Sequence, residues 1–376
     1  MPSLPSPFWI ATPSRLQQMA GELLRHSSIA VDTESNSLHA YREQVCLIQF
    51  SVPNADYLVD PLALDDLAPL APIFSNPNIE KIFHAAEYDV VCLRRDFNFD
   101  IVHIFDTMQS ARILGYQQVG LDALLKTKFD IKLNKRFQKA DWATRPLSAE
   151  LLNYARFDTH YLQALRDLIQ NELEAAGRWD LAREEFIRLA RLCGNGRAEI
   201  PGGWLRLAGK QKFTDRQLTI LKELCDWRDI QASRMDRPAF KVVDDKRLLA
   251  ITEAIPASLR DLEPFLTAHQ IHRFGAEILE AISRGRNATL VQRPRPVRPN
   301  SAILRRLDLL NQWRKHSAQK HHIESDIILP KAWMHSIAEK NPQTIEELAA
   351  IMANSPWRME HFGAEILKVI APKGKK

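Results

Sequence analysis

The sequence predicts an α/β domain of about 180 residues followed by two related all-α domains. Three observations carry this. Through the first 180 residues, short segments rich in branched and aromatic residues alternate with segments of helical periodicity. After residue 204 no convincing strand pattern remains. The hexamer FGAEIL occurs twice, beginning at Phe274 and at Phe362.

In chain order, 29–35 (IAVDTES) and 45–52 (VCLIQFSV) read as strands, with 55–61 as a third and 81–85 as a fourth. Helical spacing follows over 87–97, 106–115 and 121–129, with Gly115 and Gly120 as punctuation. Residues 148–177 read as one long helix, N-capped by Ser148 and stopped by Gly177. Beyond it, 212–290 and 302–371 read as helices. They are separated by a basic stretch (286–300) in which Pro294, Pro296 and Pro299 alternate with arginines, a stiff extended linker. The helical blocks match internally. Trp227 and Trp313 are offset by the same 86 residues as Pro256 and Pro342, and Phe274 and Phe362 by 88. This is a duplicated domain, with too few copies for a solenoid. The expected boundaries are 1–180 for the α/β domain, 181–211 for a connection, 212–290 for the first helical domain, 291–301 for the linker, 302–371 for the second helical domain and 372–376 for a basic tail.

Composition excludes several classes. Of the 376 residues, 45% are hydrophobic, and no run approaches the ~20 apolar residues of a membrane span. The first residues lack the basic and apolar regions of an export signal, so a cytoplasmic location is expected. Cys46, Cys92, Cys193 and Cys225 form no CxxC pair, which argues against a disulfide framework or zinc ribbon. Charge is divided unevenly. Residues 1–180 hold 17 Lys plus Arg against 23 Asp plus Glu, and the remainder holds 34 against 23, so a net of −6 is followed by +11. The expectation is that the helical half holds a polyanion while the α/β half does chemistry.

The chemistry-bearing residues are acids. Asp32 and Glu34 fall two apart in a strand, so both carboxylates share one face and Thr33 takes the other. Tyr154 and Asp158 share a helical face at i, i+4. Asp89 falls early in a helix, where the dipole favours a carboxylate. Each has an ordinary reading: a solvated strand end, a surface acid below a core tyrosine, a helix-start acid. Together they offer hard oxygen ligands with no competing Cys or His set, which suits Mg²⁺ or Mn²⁺. Two such ions ~3.5–4 Å apart can activate water and stabilise a leaving oxygen in phosphoryl transfer.

VDTESNS (31–37), KIFHAAEYDVVCL (81–93) and LLNYARFDTHYL (151–162), in this order, resemble the three exonuclease motifs of the DEDD superfamily, and Tyr154 marks the DEDDy branch. Residues 119–142 and 141–162 are similar to the ribonuclease D family, and the duplicated blocks resemble HRDC domains. The resemblance implies a ribonuclease-H-like exonuclease domain, a mixed sheet flanked by helices, followed by two all-α HRDC domains. It implies a hydrolase, a 3′-5′ exoribonuclease that uses two divalent ions and releases 5′-nucleoside monophosphates. Asp32, Glu34 and Asp158 would hold the ion that binds the attacking water, Asp32 and Asp89 the second ion, and Tyr154 would orient the water. Its phenol, with an ordinary pKa of ~10, is a poor base at neutral pH.

His84 matches a position usually His in the family and either caps a strand end or touches the RNA terminus. Lys135, Arg136 and Lys139 either meet substrate phosphates or form a solvated loop face. Trp142 and the repeat aromatics read as core; His321 and His322 do not read as a metal site. The implied partner is RNA with an accessible 3′ end, tRNA precursors among them, with no membrane and no obligate protein partner. A helicase is excluded by the lack of G-x-x-x-x-G-K-[ST]. A non-catalytic RNA-binding protein predicts loss of an acid, and all are present. A DNA-directed exonuclease of the same superfamily is the nearest alternative.

Overall fold

A computed structural model describes residues 5–134, 136–192, 203–209, 211–293 and 300–371. The chain forms two compact units: residues 1–34, 45–194 and 298–376 make one, and residues 35–44 and 195–297 the other.

The first unit is built on a six-stranded sheet: β1 (Phe8–Ile10), β2 (Ser28–Ser35), β3 (Val45–Val52), β4 (Ala55–Val59), β5 (Glu80–Phe83) and β6 (Ile104–Asp106), in the order β1-β4-β3-β2-β5-β6. β3 and β4 pair antiparallel, while β2–β5, β5–β6 and β1–β4 are parallel, so the sheet is mixed as expected. Its helices are α1 (Pro13–Leu23), α2 (Ala71–Ser75), α3 (Glu87–Phe97), α4 (Thr107–Leu114), α5 (Leu121–Phe129), α6 (Ala149–His160), α7 (Leu162–Ala175) and α8 (Trp179–Leu189). α8 straddles residue 180, the domain end that the sequence suggests.

Strand alternation divides the core. Ile29, Val31, Phe83 and Ile104 pack with Val90 and Leu93 of α3 on one face. Ala30, Ile82 and Phe105 pack with Leu125 of α5 and Leu162, Leu165 and Ile169 on the other. β2 is therefore sandwiched between two helical layers, the usual α/β arrangement.

The structure corrects three sequence expectations. It adds two three-residue strands, β1 and β6, which are too short for an alternating pattern to reveal. β4 and β5 stop at Val59 and Phe83, short of 61 and 85, and after β5 Ala85 turns into left-handed backbone at φ +68°. Residues 148–177 are two helices, because Tyr161 (φ −97°, ψ −2°) breaks the run. α6 lies against β3 and β4, and α7 against α4 and β5, two surfaces that one straight helix does not serve. Ser148 caps α6 as expected, accepting from the Leu151 N–H at 3.2 Å.

The second unit contains α9 (Gly203–Ala208), α10 (Asp215–Arg234), α11 (Ala239–Val242), α12 (Asp245–Ala254) and α13 (Ala268–Asn287). α14 (Ser301–His321), α15 (Ser325–Ile328), α16 (Lys331–Lys340), α17 (Ile345–Ile351) and α18 (Pro356–Ile370) belong to the first unit. The duplication holds at atomic detail. Trp227 meets Phe274 edge-on at 5.8 Å and donates to Glu277 at 2.8 Å; Trp313 meets Phe362 at 5.8 Å and donates to Glu365 at 2.9 Å. In both copies the aromatic anchors are packed into the core.

α14–α18 share a hydrophobic core with α4, α5, α7 and α8. Arg178 donates to the carbonyls of Ile113 and His321 at 2.6 and 2.7 Å, and Arg112 pairs with Glu324 and with Asp326. A Cβ at Gly115 (φ +85°) would collide with the His322 carbonyl, so the close approach there needs glycine. No helix among the described residues is long and apolar enough to cross a membrane.

Candidate active site

The site assembles around the end of β2. Asp32 and Glu34 project toward the α6 layer, and α6 brings Asp158 to them. One carboxylate oxygen from each of the three lies within 4.8 Å of the others. Thr33 points into the opposite layer, as alternation requires. There α3 presents Asp89, 5% exposed, and the Thr33 hydroxyl donates to it at 2.5 Å. Three of the four sequence-predicted acids thus meet on one face of β2, and the fourth is tied to the same strand from the other.

α6 is fixed from behind. The hydroxyls of Ser51 (β3) and Thr159 lie 2.7 Å apart, His160 Nδ1 is 2.9 Å from the Asp56 carboxylate, and Arg156 donates to the Pro5 carbonyl at 2.7 Å. The loop before α6 is clamped by Arg145, whose guanidinium forks onto both oxygens of Asp60 at 2.6 and 2.8 Å. That loop carries the buried Trp142, whose ring lies 6.1 Å from Tyr154, while Phe137 meets Tyr154 edge-on at 5.8 Å. Trp142 is core, as its sequence context suggests. Its packing orients the Tyr154 ring.

The electrostatics are those of acids that no cation among the described residues balances. Burial, then repulsion from Asp89, Asp158 and Glu34, pushes Asp32 well above the usual carboxylate range. Glu34 is pushed up likewise, by burial and then by Asp158 and Asp89. Asp89 and Asp158 rise to about 7, burial being the main cause in both. Burial and the three neighbouring acids also raise Tyr154, so its phenol stays protonated and can donate. Half-buried acids that repel one another and present only hard oxygen donors fit a divalent cation of the Mg²⁺ or Mn²⁺ kind.

His84 is pushed down to about 4 by burial and is neutral. Its Nδ1 lies 2.9 Å from the Thr107 hydroxyl, which donates at 3.1 Å to the Phe83 carbonyl. The hydroxyl proton is thus committed, so Nδ1 carries the ring proton and Nε2 is an acceptor. Arg136 and Lys139 lie on an exposed surface, and Arg136 borders a cavity of about 390 Å³ that is also lined by Tyr154, Phe157 and Asp158. Lys135 falls outside the described residues. His321 packs its ring on Phe362 in the second repeat.

Sequence reasoning missed Thr33, Asp106 and Thr107. Asp106 is fully buried, accepts the N–H groups of Ala85, Ala86 and Gln109, and is pushed upward by burial. The D-T pair at the end of β6 reads only as the start of a helix; its grip on the β5–α3 turn is a tertiary contact with no local signature.

A family model described as 3′-5′ exonuclease matches residues 7–174, and a model of the HRDC domain matches twice, at 217–282 and 303–370. The chain is 32% identical to the protein RRP6-like 3 of Arabidopsis thaliana over 278 residues, covering 68% of this chain and 31% of that protein. It is 31% identical to the exosome complex exonuclease RRP6 of Saccharomyces cerevisiae, covering 67% and 37%. The chain thus spans about a third of the length of the curated relatives it matches. Among solved structures, the catalytic core of RRP6 from Trypanosoma brucei superposes with a TM-score of 0.67 at 27% identity, over 77% of this chain and 81% of that one. RNase D of Escherichia coli shares the fold, with a TM-score of 0.71 over 97% and 99% at 22% identity.

Proposed function

Because the chain belongs to the 3′-5′ exonuclease family and carries two HRDC domains, we propose that it is a metal-dependent 3′-5′ exoribonuclease that removes nucleotides singly from RNA 3′ ends. The observation that carries this is the half-buried cluster of Asp32, Glu34 and Asp158, with the buried Asp89 behind it, beside a protonated Tyr154. Asp32, Glu34 and Asp158 would hold one divalent ion, and Asp32 and Asp89 a second. When bound, the ions supply charge neutralisation and a water of lowered pKa. Tyr154 donates a hydrogen bond that orients the attacking water toward the terminal phosphodiester. His84 offers Nε2 as an acceptor to a hydroxyl at the RNA terminus. Arg136, Lys139 and Lys135 meet the phosphates upstream. RNA precursors trimmed at the 3′ end, tRNA precursors among them, are the substrates this reading favours, and the cytoplasm its setting.

The distribution of charge favours particular segments as the RNA grip. Residues 212–290 hold 13 Lys plus Arg against 12 Asp plus Glu, and 302–371 hold 9 against 8, so each helical domain is nearly neutral. The segments 181–211, 291–301 and 372–376 together hold 12 against 3. The expected grip of the helical half on a polyanion therefore narrows to the segments flanking its two domains. Replacing Arg295 and Arg298 by Gln should flatten the salt dependence of RNA binding by about 0.7 in log–log slope for each phosphate no longer neutralised.

The deciding experiment incubates 5′-labelled RNA with a single-stranded 3′ tail, beside a DNA copy, with Mg²⁺, Mn²⁺ or chelator. A one-nucleotide ladder on RNA that chelator abolishes is expected. An equal or faster ladder on DNA would move the assignment to a DNA exonuclease, and binding without cleavage would make the chain an RNA-binding protein.

A further inference from the structure

Asp89 sits in the first turn of α3, and that helix lacks a cap of its own: Ala86, at the N-cap position, has no side-chain acceptor. The turn leading into it is strained, since Ala85 at φ +68° occupies a region that residues with a Cβ seldom adopt. A single carboxylate holds this turn. Asp106 receives the Ala86 N–H on one oxygen at 2.7 Å and the Ala85 N–H on the other at 3.3 Å. The same carboxylate caps α4 through the Gln109 N–H at 2.9 Å. The N-termini of α3 and α4 therefore converge on one buried side chain, with both helix dipoles favouring its charge. Thr107, next in sequence, bonds instead the Phe83 carbonyl and His84, ahead of the turn.

We propose that Asp106 is a positioning residue for Asp89. Its carboxylate replaces the missing cap of α3, keeps Ala85 left-handed, and so sets where the Asp89 carboxylate stands relative to Asp32. Thr33 restrains the same carboxylate from the strand side. Asp106 touches neither ion nor substrate: its oxygens are taken by three backbone N–H groups. The isosteric amide is a poor substitute. In the Asp106→Asn variant the side chain turns a donor toward one of those N–H groups, and the turn loses an acceptor where strain most needs it. The inference rests on the reading of Asp89 as a metal ligand.

The test is calorimetric titration of the full chain with Mn²⁺ at neutral pH, which needs no RNA and no turnover. Wild type is compared with Asp89→Asn, Asp106→Asn, Thr107→Val and the double variant Asp106→Asn, Ala85→Gly. Asp106→Asn should weaken the binding event that Asp89→Asn removes, by about tenfold or more, and leave the other event unchanged. Adding Ala85→Gly should restore part of the loss, because glycine takes positive φ without strain. Thr107→Val, which leaves the amides on Asp106 in place, should titrate as wild type. Wild-type binding by Asp106→Asn overturns the inference. So does simultaneous loss of both events, which would show that Asp106 supports the fold as a whole. A wild-type chain that takes up no Mn²⁺ removes the metal site itself, and the inference with it.

Discussion

Two clusters of charge, one buried and one half-buried, lie in the same compact unit and are built on opposite plans. Between α8 and α18, Arg358 is fully buried with Glu184 at 2.8 Å, Glu185, and the Ile327 carbonyl. Glu184 also receives the N–H groups of Trp357 and Arg358, so it caps α18 from a neighbouring helix. Burial still pushes Glu184 upward, but Arg358 and these donors pull it back. At the end of β2, by contrast, burial and repulsion add, and no cation among the described residues answers them. A buried charge that the fold balances is a structural device; one that the fold leaves unbalanced needs something from outside. The first cluster fastens the second helical repeat, and the second has the hard oxygen donors that suit a divalent ion.

The sharpest way to break this contrast is to remove one charge from each cluster. Asp32→Asn should lower cleavage of labelled RNA by about 10³-fold or more, since charge stabilisation is the main catalytic resource at such a site. The same change relieves repulsion, so the melting temperature in chelator should hold or rise. Arg358→Ala should do the reverse. It leaves Glu184 buried without its cation and Glu185 with Arg188 alone, and should destabilise by about 3–5 kcal/mol in denaturant titrations. Single-nucleotide hydrolysis should persist in whatever fraction stays folded. If Asp32→Asn destabilises as much as Arg358→Ala, the two clusters are not different in kind.

Acidity sharpens the comparison further. Asp89 and Asp158 hold protons in the fold up to about pH 7, whereas unfolded aspartates release them near pH ~4. Between these values the folded state binds more protons than the unfolded state, so stability of the ion-free chain falls as pH rises through that window. Above it the penalty is complete, and a bound cation removes it. Mn²⁺ should therefore raise the melting temperature more at about pH 8 than at about pH 5. An equal shift at both would mean that the ion does not bind these acids.

The two clusters also differ in how much the sequence disclosed. D-T-E in a strand, an early helical acid and a Tyr–Asp pair one turn apart are local patterns, and each falls where its periodicity puts it. The repeated FGAEIL likewise discloses the duplicated core, down to the Trp–Phe–Glu contact in each copy. Arg358, Glu184 and Glu185 sit on amphipathic helices, where charges read as a solvated face; only tertiary packing buries them. Asp106 and the break at Tyr161 escape for the same reason. The first acts on a turn 20 residues away, and the second separates two helices whose hydrophobic patterns run on without interruption.

The smallest of these effects is the most specific to the open cluster. Tyr154 is held by Trp142 and Phe137 and kept protonated by the acids around it. Tyr154→Phe keeps the ring packing and deletes one hydrogen-bond donor. The loss should be about 10- to 100-fold in kcat, the range of one well-placed hydrogen bond to a charged partner, with KM for RNA unchanged. The wild-type rate should show no further rise between about pH 9 and 10, because a phenol that acts as a hydrogen-bond donor gains nothing by losing its proton. A rate that climbs through that interval, and fails to climb in the Phe variant, would make Tyr154 a general base and overturn its assignment as a water-orienting donor.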